Sequence, residues 1–547
     1  MTENQNGSRG STPESQLLDS DSSNLRYTTI EQENEAIKEY NLWLILPALW
    51  AGSFLAAVDG TVVANIMGPI AADFKQENLK SWIATSYLLT NTAFQPLYGK
   101  VSDIIGRKYA LMFAQFTFGL GCFLSIFSQN IFQFALSRAV SGIGGGGLSA
   151  MSSIIVSDIV DTKNRGLFQG YANLNYALGQ TLGAPLGAIL LTSIGWRWVF
   201  GAQVPCVVFC MFMAYKNVNI GQEKPFTKEN LTRIDFGGSI TLVISITSFL
   251  LLLSTDLNRV ILGIVFVLAA ILFVYIEKYI AKEQILPSDL VKGILGICGI
   301  SSFAGSFVLN GSIFGIPSFL QIVQDQSSKK SGGFLTFIVL SVSIGSLTSG
   351  FLLKRIQIEV KKLSLWISFA SVTFILFGFA FIFRSIVTPE PYDSTNSWKL
   401  SLIIGLTILG FGYGSYLVSL LITVVAITGK EGQAAATGMN YLFRSIGQVL
   451  GVGLSLAIYG SEIHNKLKEI LQNVDHGDYI YQHLLSDTNY LKNGKYITKE
   501  LLSKLLKAYQ ESIITSFYPA LLLAVLSVFI SGGLALTYGL NRGHRFI

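Results

Sequence analysis

The sequence predicts an all-α membrane protein with fourteen membrane-spanning helices. Three observations point there. Half of the 547 residues are apolar and only 13% are charged, against roughly 25% in soluble domains. Mean hydropathy is +0.50 over the whole chain, which requires many spans rather than one anchor. Lys and Arg also fall unevenly between alternate connections, as the positive-inside rule requires.

Residues 1–40 are rich in Ser, Asn, Gln and Glu and are expected to be a disordered cytosolic tail. They lack the short apolar core of a cleavable leader, so the first span is expected to act as an uncleaved anchor. Apolar runs of about 18 to 25 residues then place spans at 42–66, 81–99, 109–128, 132–156, 168–192, 198–215 and 236–254. The remaining seven fall at 259–279, 296–320, 333–353, 364–384, 400–427, 435–460 and 514–538. With the N-terminus inside, the cytosolic connections hold 17 Lys and Arg and the short opposite loops 8, so both termini are expected in the cytosol. The long segment 461–513 lies on the opposite side, and its Tyr, Leu and Lys content suggests a short helix or two.

Composition excludes several classes. No basic cluster with interleaved aromatics lies outside the spans, so nucleic acid is not an expected partner. Cys122, Cys206, Cys210 and Cys298 fall inside apolar runs and are expected to be packing residues, with no disulfide and no metal. No Ser/His/Asp or metal constellation lies outside the spans, so no enzyme and no cofactor are expected. His464, His476, His483 and His544 lie in the long segment and the tail, where His476 beside Asp475 offers a pH-sensing group.

The polar residues inside this apolar background carry the chemistry. Asp59, in Asp59-Gly60-Thr61-Val62-Val63-Ala64-Asn65, is the one carboxylate well inside a predicted span. Arg138 opens Arg138-Ala139-Val140-Ser141-Gly142-Ile143-Gly144-Gly145-Gly146-Gly147 in the fourth span, and a buried cation needs a partner or a water path. Counting residues from the helix ends, at about 1.5 Å each, puts Asp59 and Arg138 at nearly the same depth. They are expected to be coupled, Arg138 tuning a proton-carrying Asp59 or the two forming a static pair. Gly99-Lys100-Val101-Ser102-Asp103-Ile104-Ile105-Gly106-Arg107-Lys108 is a tight turn between two spans, in which Gly99 and Gly106 permit close approach and Asp103 can cap the next helix. In the fifth span Gly179, Gly183 and Gly187 recur every fourth residue as one smooth face, with Gly170 upstream and Pro185 permitting a bend. Asn440, Arg444 and Gln448 share one face of the thirteenth span, either lining a cavity or forming a polar seam.

These motifs together resemble the major facilitator superfamily, specifically its fourteen-span drug:proton antiporters. Gly99, Asp103, Gly106, Arg107 and Lys108 match the G-x-x-x-D-x-x-G-R-[RK] turn, which implies a gating role. Gly170, Gly179, Gly183, Pro185 and Gly187 resemble the antiporter motif, with Ala184 intervening before the proline. Arg138 to Gly144 resembles the R-x-x-x-G-x-G signature, and Asp59 to Ala64 the D-x-T-[IV]-V element of the first span. Trp82 to Leu89, and Trp196-Arg197-Trp198-Val199-Phe200 followed by Pro205, resemble further family patterns.

The resemblance implies a major facilitator fold: two pseudo-symmetric six-helix bundles plus two extra helices, 14 transmembrane helices in all. The expected organisation is 41–216 for the first bundle and 217–295 for the extra helices with their linkers. The second bundle follows at 296–538, including 461–513, and a cytosolic tail at 539–547. Ser157 to Gly166 and the long segment before the last span resemble yeast vacuolar basic amino acid transporters. That implies proton-coupled antiport of Lys, Arg or His across the vacuolar membrane by a monomer, with a cationic amino acid, protons and the bilayer as partners. Asp59, Arg138, Asn440, Arg444 and Gln448 are the expected coupling and substrate residues. The alternatives are a plasma-membrane multidrug:proton exporter and a non-transporting nutrient receptor.

Overall fold

The computed structural model describes residues 41–76, 79, 81–220, 235–254, 258–282, 284–285, 293–356, 358–393, 396–472, 474–486, 490–494 and 496–539. The tails at 1–40 and 540–547, and with them His544, lie outside the described residues, as do Lys224, Lys228 and Arg233.

The described residues are helical almost throughout. The first bundle holds α1 (Leu42–Asp73), α2 (Ser81–Ile105), α3 (Arg107–Ile126), α4 (Ile131–Ile159), α5 (Thr162–Ile194) and α6 (Trp196–Asn217). Next come α7 (Phe236–Ser254) and α8 (Arg259–Tyr279). The second bundle holds α9 (Gly293–Val323), α10 (Ser328–Arg355), α11 (Val360–Val387), α12 (Ser397–Gly429) and α13 (Gly432–Leu471). Two short helices, α14 (Gly477–Ser486) and α15 (Tyr490–Asn493), precede α16 (Lys499–Gly539), which completes it.

Twelve of these helices are long and apolar enough to cross a bilayer among the described residues. The two of the fourteen expected spans outside that set are α2 and α7. The α2 sequence is diluted by Thr90, Asn91, Thr92 and Gln95, whereas α7 is apolar along its whole length, Phe236–Ser254. Both still pack beside the twelve, where Leu89, Ala93 and Leu97 of α2 meet Leu242 and Ile246 of α7 and Leu442 of α13. The outer face of α8 is exposed apolar surface, as a lipid-facing helix requires.

Two separate cores hold the bundles. One runs from Ile45 to Val218 with Ala434 added, the other from Leu295 to Leu534. Lipid tails are as apolar as leucine, so helices in a bilayer associate through close packing of small residues rather than through hydrophobic transfer. The Gly144–Gly147 run shows this directly. A Cβ at Gly146 would lie 2.5 Å from the Asn91 carbonyl of α2, and one at Gly144 2.6 Å from Phe118 Cβ of α3. Thr90 Oγ1 donates to the Ala139 carbonyl (2.8 Å) and the Tyr98 hydroxyl to that of Ile143 (3.0 Å), fastening α2 to α4.

Several helices outrun their apolar stretches. α1 continues past the expected end at 66 to Asp73, which places Asp59 near its middle rather than close to one end. In the 461–513 segment α13 continues to Leu471 and α16 begins at Lys499. Leu471, Ile480, Leu484, Leu491 and Leu505 join the second core there and cap that bundle.

Candidate functional site

Arg107 is the hub of the turn between α2 and α3. Its Nη1 pairs with Asp103 Oδ1 (2.7 Å) and donates to Ser102 Oγ (2.7 Å), while its Nε pairs with Asp158 Oδ2 at the end of α4 (2.7 Å). The N-cap position of α3 falls on Gly106, three residues beyond the expected Asp103, at φ +94°, where glycine is favoured. Burial raises the Asp103 carboxyl above the usual carboxylate range, against the pull of Arg107 and Lys100. Lys108 Nζ donates to Asn219 Oδ1 (2.8 Å) and lies 4.6 Å from the centre of the Tyr215 ring.

Asp158 carries this network into the other bundle, because its Oδ1 accepts from Gln433 Nε2 of α13 (3.0 Å). Close backbone contact surrounds that bond. A Cβ at Gly99 would lie 2.6 Å from the Ala434 carbonyl, and one at Gly350 of α10 2.7 Å from Leu167 Cα of α5. Asn173 Nδ2 of α5 donates to Ser346 Oγ of α10 (3.1 Å), and Ser445 of α13 bonds Gln95 of α2. These links between the bundles run from the Gly99–Lys108 end to about mid-span.

Deeper in the first bundle, Asp59 and Arg138 meet as a bidentate pair. Arg138 Nη1 donates to Oδ1 (3.0 Å) and Nη2 to Oδ2 (2.8 Å), with the two side chains 1% and 0% exposed. Gln203 Nε2 of α6 adds a long bond to Asp59 Oδ1 (3.4 Å). The guanidinium lies 4.5 Å from the centre of the Tyr87 ring and 5.5 Å from that of Phe200. Its Nε has no hydrogen-bond partner.

The glycine motif of α5 divides between two jobs. Gly179, Gly183 and Gly187 press on α1, the helix of Asp59: a Cβ at Gly183 would lie 2.6 Å from the Val58 carbonyl, and one at Gly179 2.8 Å from that of Phe54. Gly170 presses instead on Ser346 of α10, in the other bundle, at 3.0 Å. α5 runs unbroken through Pro185, whose side chain is exposed.

Asn440, Arg444 and Gln448 lie on α13, apart from the Asp59 pair. Arg444 stands 4.5 Å from the centre of the Tyr441 ring and within electrostatic reach of Tyr413 of α12 and Tyr176 of α5. Tyr176 and Asp59 are both within such reach of Tyr87, so tyrosines span the gap between the two arginine sites. Sequence reasoning missed Gln203, Tyr176 and the Gln433–Asp158 bond. Tyr87 lies inside the Trp82 to Leu89 pattern, for which interfacial anchoring is the expected job, but it is buried against Arg138 instead. Cys122, Cys210 and Cys298 are buried, and among the described residues no group of His, Cys, Asp or Glu could hold a metal.

Two helical bundles joined at one end, with a buried ion pair inside one of them, define a multi-pass membrane transport protein rather than an enzyme. The particular lineage is plain: residues 49–452 match the Major Facilitator Superfamily model, and the chain belongs to that family. It is similar to "Vacuolar basic amino acid transporter 1" of Saccharomyces cerevisiae, at 40% identity over 90% of this chain and 93% of that one. It is also similar to "Multidrug resistance protein fnx1" of Schizosaccharomyces pombe, at 33% identity over 91% and 93%. Among solved structures, the human organic anion transporter MFSD10 (TETRAN) shares the fold, with a TM-score of 0.60 at 14% identity over 90% of this chain and 100% of that one.

Proposed function

We propose that this protein is a proton-coupled antiporter that moves the basic amino acids Lys, Arg and His across the vacuolar membrane by alternating access. The observation that carries the reading is the buried Asp59–Arg138 pair, seated on the α1 face that the α5 glycines grip. A carboxylate in that position accepts a proton only by releasing Arg138, so protonation and movement of α1 against α5 are physically linked. The name of the yeast relative supplies the substrate class and the membrane.

In this reading both termini face the cytosol and the joined end of the bundles is the cytosolic gate. Arg107, Asp103, Asp158 and Gln433 hold it shut, and the structure is the lumen-facing member of the cycle. The protein works as a monomer, with the substrate between the bundles near the midplane. A second reading, drug export, is favoured by the multidrug-named relative. ATP-dependent uptake of labelled Lys, Arg and His into isolated vacuole vesicles, with and without a protonophore, separates the two. Saturable uptake abolished by the protonophore is expected. Drug resistance on overexpression without such uptake overturns the amino acid reading in favour of export.

A further inference from the structure

Three positions on one face of α13 each leave a buried polar atom without a hydrogen-bond partner: Thr437 Oγ1, Asn440 Oδ1 and Arg444 Nε. They are spaced i, i+3, i+7, about 10 Å of helix at 1.5 Å per residue. Buried polar groups in proteins are nearly always matched, so three in register call for a cause. The face is turned toward the other bundle, since Tyr176 of α5 lies within reach of Arg444. Among the described residues Arg444 forms no ion pair; the Tyr441 hydroxyl is a hydrogen-bond partner of its guanidinium, and the uncharged Tyr413 and Tyr176 are its other neighbours. That contrasts with Arg138, whose carboxylate is supplied by the protein itself.

A strand of unmatched groups reading acceptor, acceptor, cationic donor is the complement of a zwitterion. We infer that this face of α13 recognises the backbone of an α-amino acid, Arg444 taking its carboxylate and Asn440 Oδ1 its ammonium. Thr437 adds a second acceptor for the ammonium one turn along. The substrate side chain is then directed away from α13 toward Tyr176 of α5. The assignment rests on the amino acid transport reading and deepens it, giving one helix the part of the ligand common to Lys, Arg and His. Discrimination among side chains falls elsewhere.

The test uses the full chain in proteoliposomes, with labelled L-lysine as the probe. Its competitors are unlabelled L-lysine, L-lysine methyl ester, which lacks the anionic carboxylate, and cadaverine, which lacks the carboxyl group altogether. In the parent protein both analogues should compete at least about 10-fold less well than L-lysine, the worth of one lost charge-assisted hydrogen bond. In Arg444→Gln that preference should collapse, L-lysine weakening to the level of its methyl ester while the ester itself is little changed. Arg444→Lys, which keeps a charge but not the planar fork, should restore part of the preference. If Arg444→Gln weakens all three ligands alike, Arg444 is a structural group and the inference fails while lysine transport stands. Equal competition by L-lysine and cadaverine in the parent protein overturns it without any variant, and identifies the unmatched atoms as a water-filled seam. If the parent neither binds nor moves any basic amino acid, the transport reading fails and this assignment fails with it.

Discussion

Asp59→Asn is the perturbation that bears most directly on proton coupling. The pair it breaks has N–O distances of 2.8 and 3.0 Å and side chains no more than 1% exposed. The charge centres are about 4 Å apart, which at an effective dielectric constant of about 20 corresponds to about 4 kcal/mol. Stranding one charge of a buried pair costs about 3–5 kcal/mol, the same range. Since 1.4 kcal/mol is about a factor of ten, states that keep Arg138 buried and unpaired become roughly a thousandfold rarer. In proteoliposomes, accumulation driven by a pH gradient should therefore be lost in Asp59→Asn. Counterflow exchange of labelled for unlabelled lysine needs no net proton movement and should persist more strongly. Asp59→Asn with Arg138→Gln removes both charges, so thermal stability should recover most of what the single change loses, while gradient-driven accumulation stays absent. Full accumulation by Asp59→Asn would refute the coupling role. A double variant no more stable than Asp59→Asn would refute the energetic argument behind it.

The gate and the glycine face make separate predictions. Gly99→Val places side-chain carbons where 2.6 Å already separates a bare Cβ from the Ala434 carbonyl. That overpacking, about 1–3 kcal/mol, should open the turn end, and a Ser349→Cys reporter, buried now, should be labelled about 10-fold faster by an impermeant maleimide. Unchanged labelling would show that the contact does not hold the bundles together. Gly183→Ala drives a methyl into α1 beside Val58, and should cut lysine uptake several-fold at normal expression. Uptake equal to the parent's would sever the α5 motif from the Asp59 helix. Asp103 gives a pH test. Because burial raises its pKa, its stabilising contribution is complete below the ordinary carboxylate range and is lost as pH rises through the raised value. Asp103→Asn should therefore gain thermal stability relative to the parent over that rise, and an opposite slope would contradict the assigned cause.

Much of this architecture was legible because a bilayer constrains sequence strongly. Apolar runs near 20 residues long, interrupted by basic turns, leave few arrangements open, and Asp59 and Arg138 stood out because charge inside such runs is costly. Their meeting was expected from a residue count that ended α1 at 66, whereas the helix runs on to Asp73, so the pair forms although the count itself does not hold. Length was read less well where helices leave the membrane. α13 and α16 continue through Lys, Tyr and Leu sequence whose period is helical but whose hydropathy is ordinary, so an apolar count stopped at 460 and began again at 514. The partners were the least legible. Gln433 meets Asp158 across 275 positions, and nothing in either local sequence marks the other. Gln203 sits four residues after Val199 on a helix read for its tryptophans, and its amide at Asp59 emerges only once α1 and α6 are packed together.

The two intramembrane arginines also differ in a way that bears on the order of events. Arg138 engages both oxygens of Asp59 through Nη1 and Nη2 while the Gly99–Lys108 end is joined. An internal pair of that kind needs nothing from solution, so it stabilises this conformation whether or not substrate is present. Arg444 has no carboxylate partner among the described residues, which makes it the arginine more improved by an arriving anion. On the proposed reading, ligand binding and proton binding fall on different helices, in different bundles. Tyr87, within electrostatic reach of the Asp59–Arg138 pair and of Tyr176, and Tyr176, within reach of Arg444, lie between them. A transporter that must avoid leaking protons gains from that separation. An empty Arg444 site holds no substrate to move, and a paired Asp59 holds no proton, so neither cargo alone supplies both changes needed to release the joined end. Coupling on this scheme is a property of the bundle interface, which is why the glycine contacts of α5, touching α1 with one half and α10 with the other, belong to the mechanism as much as the charged residues do.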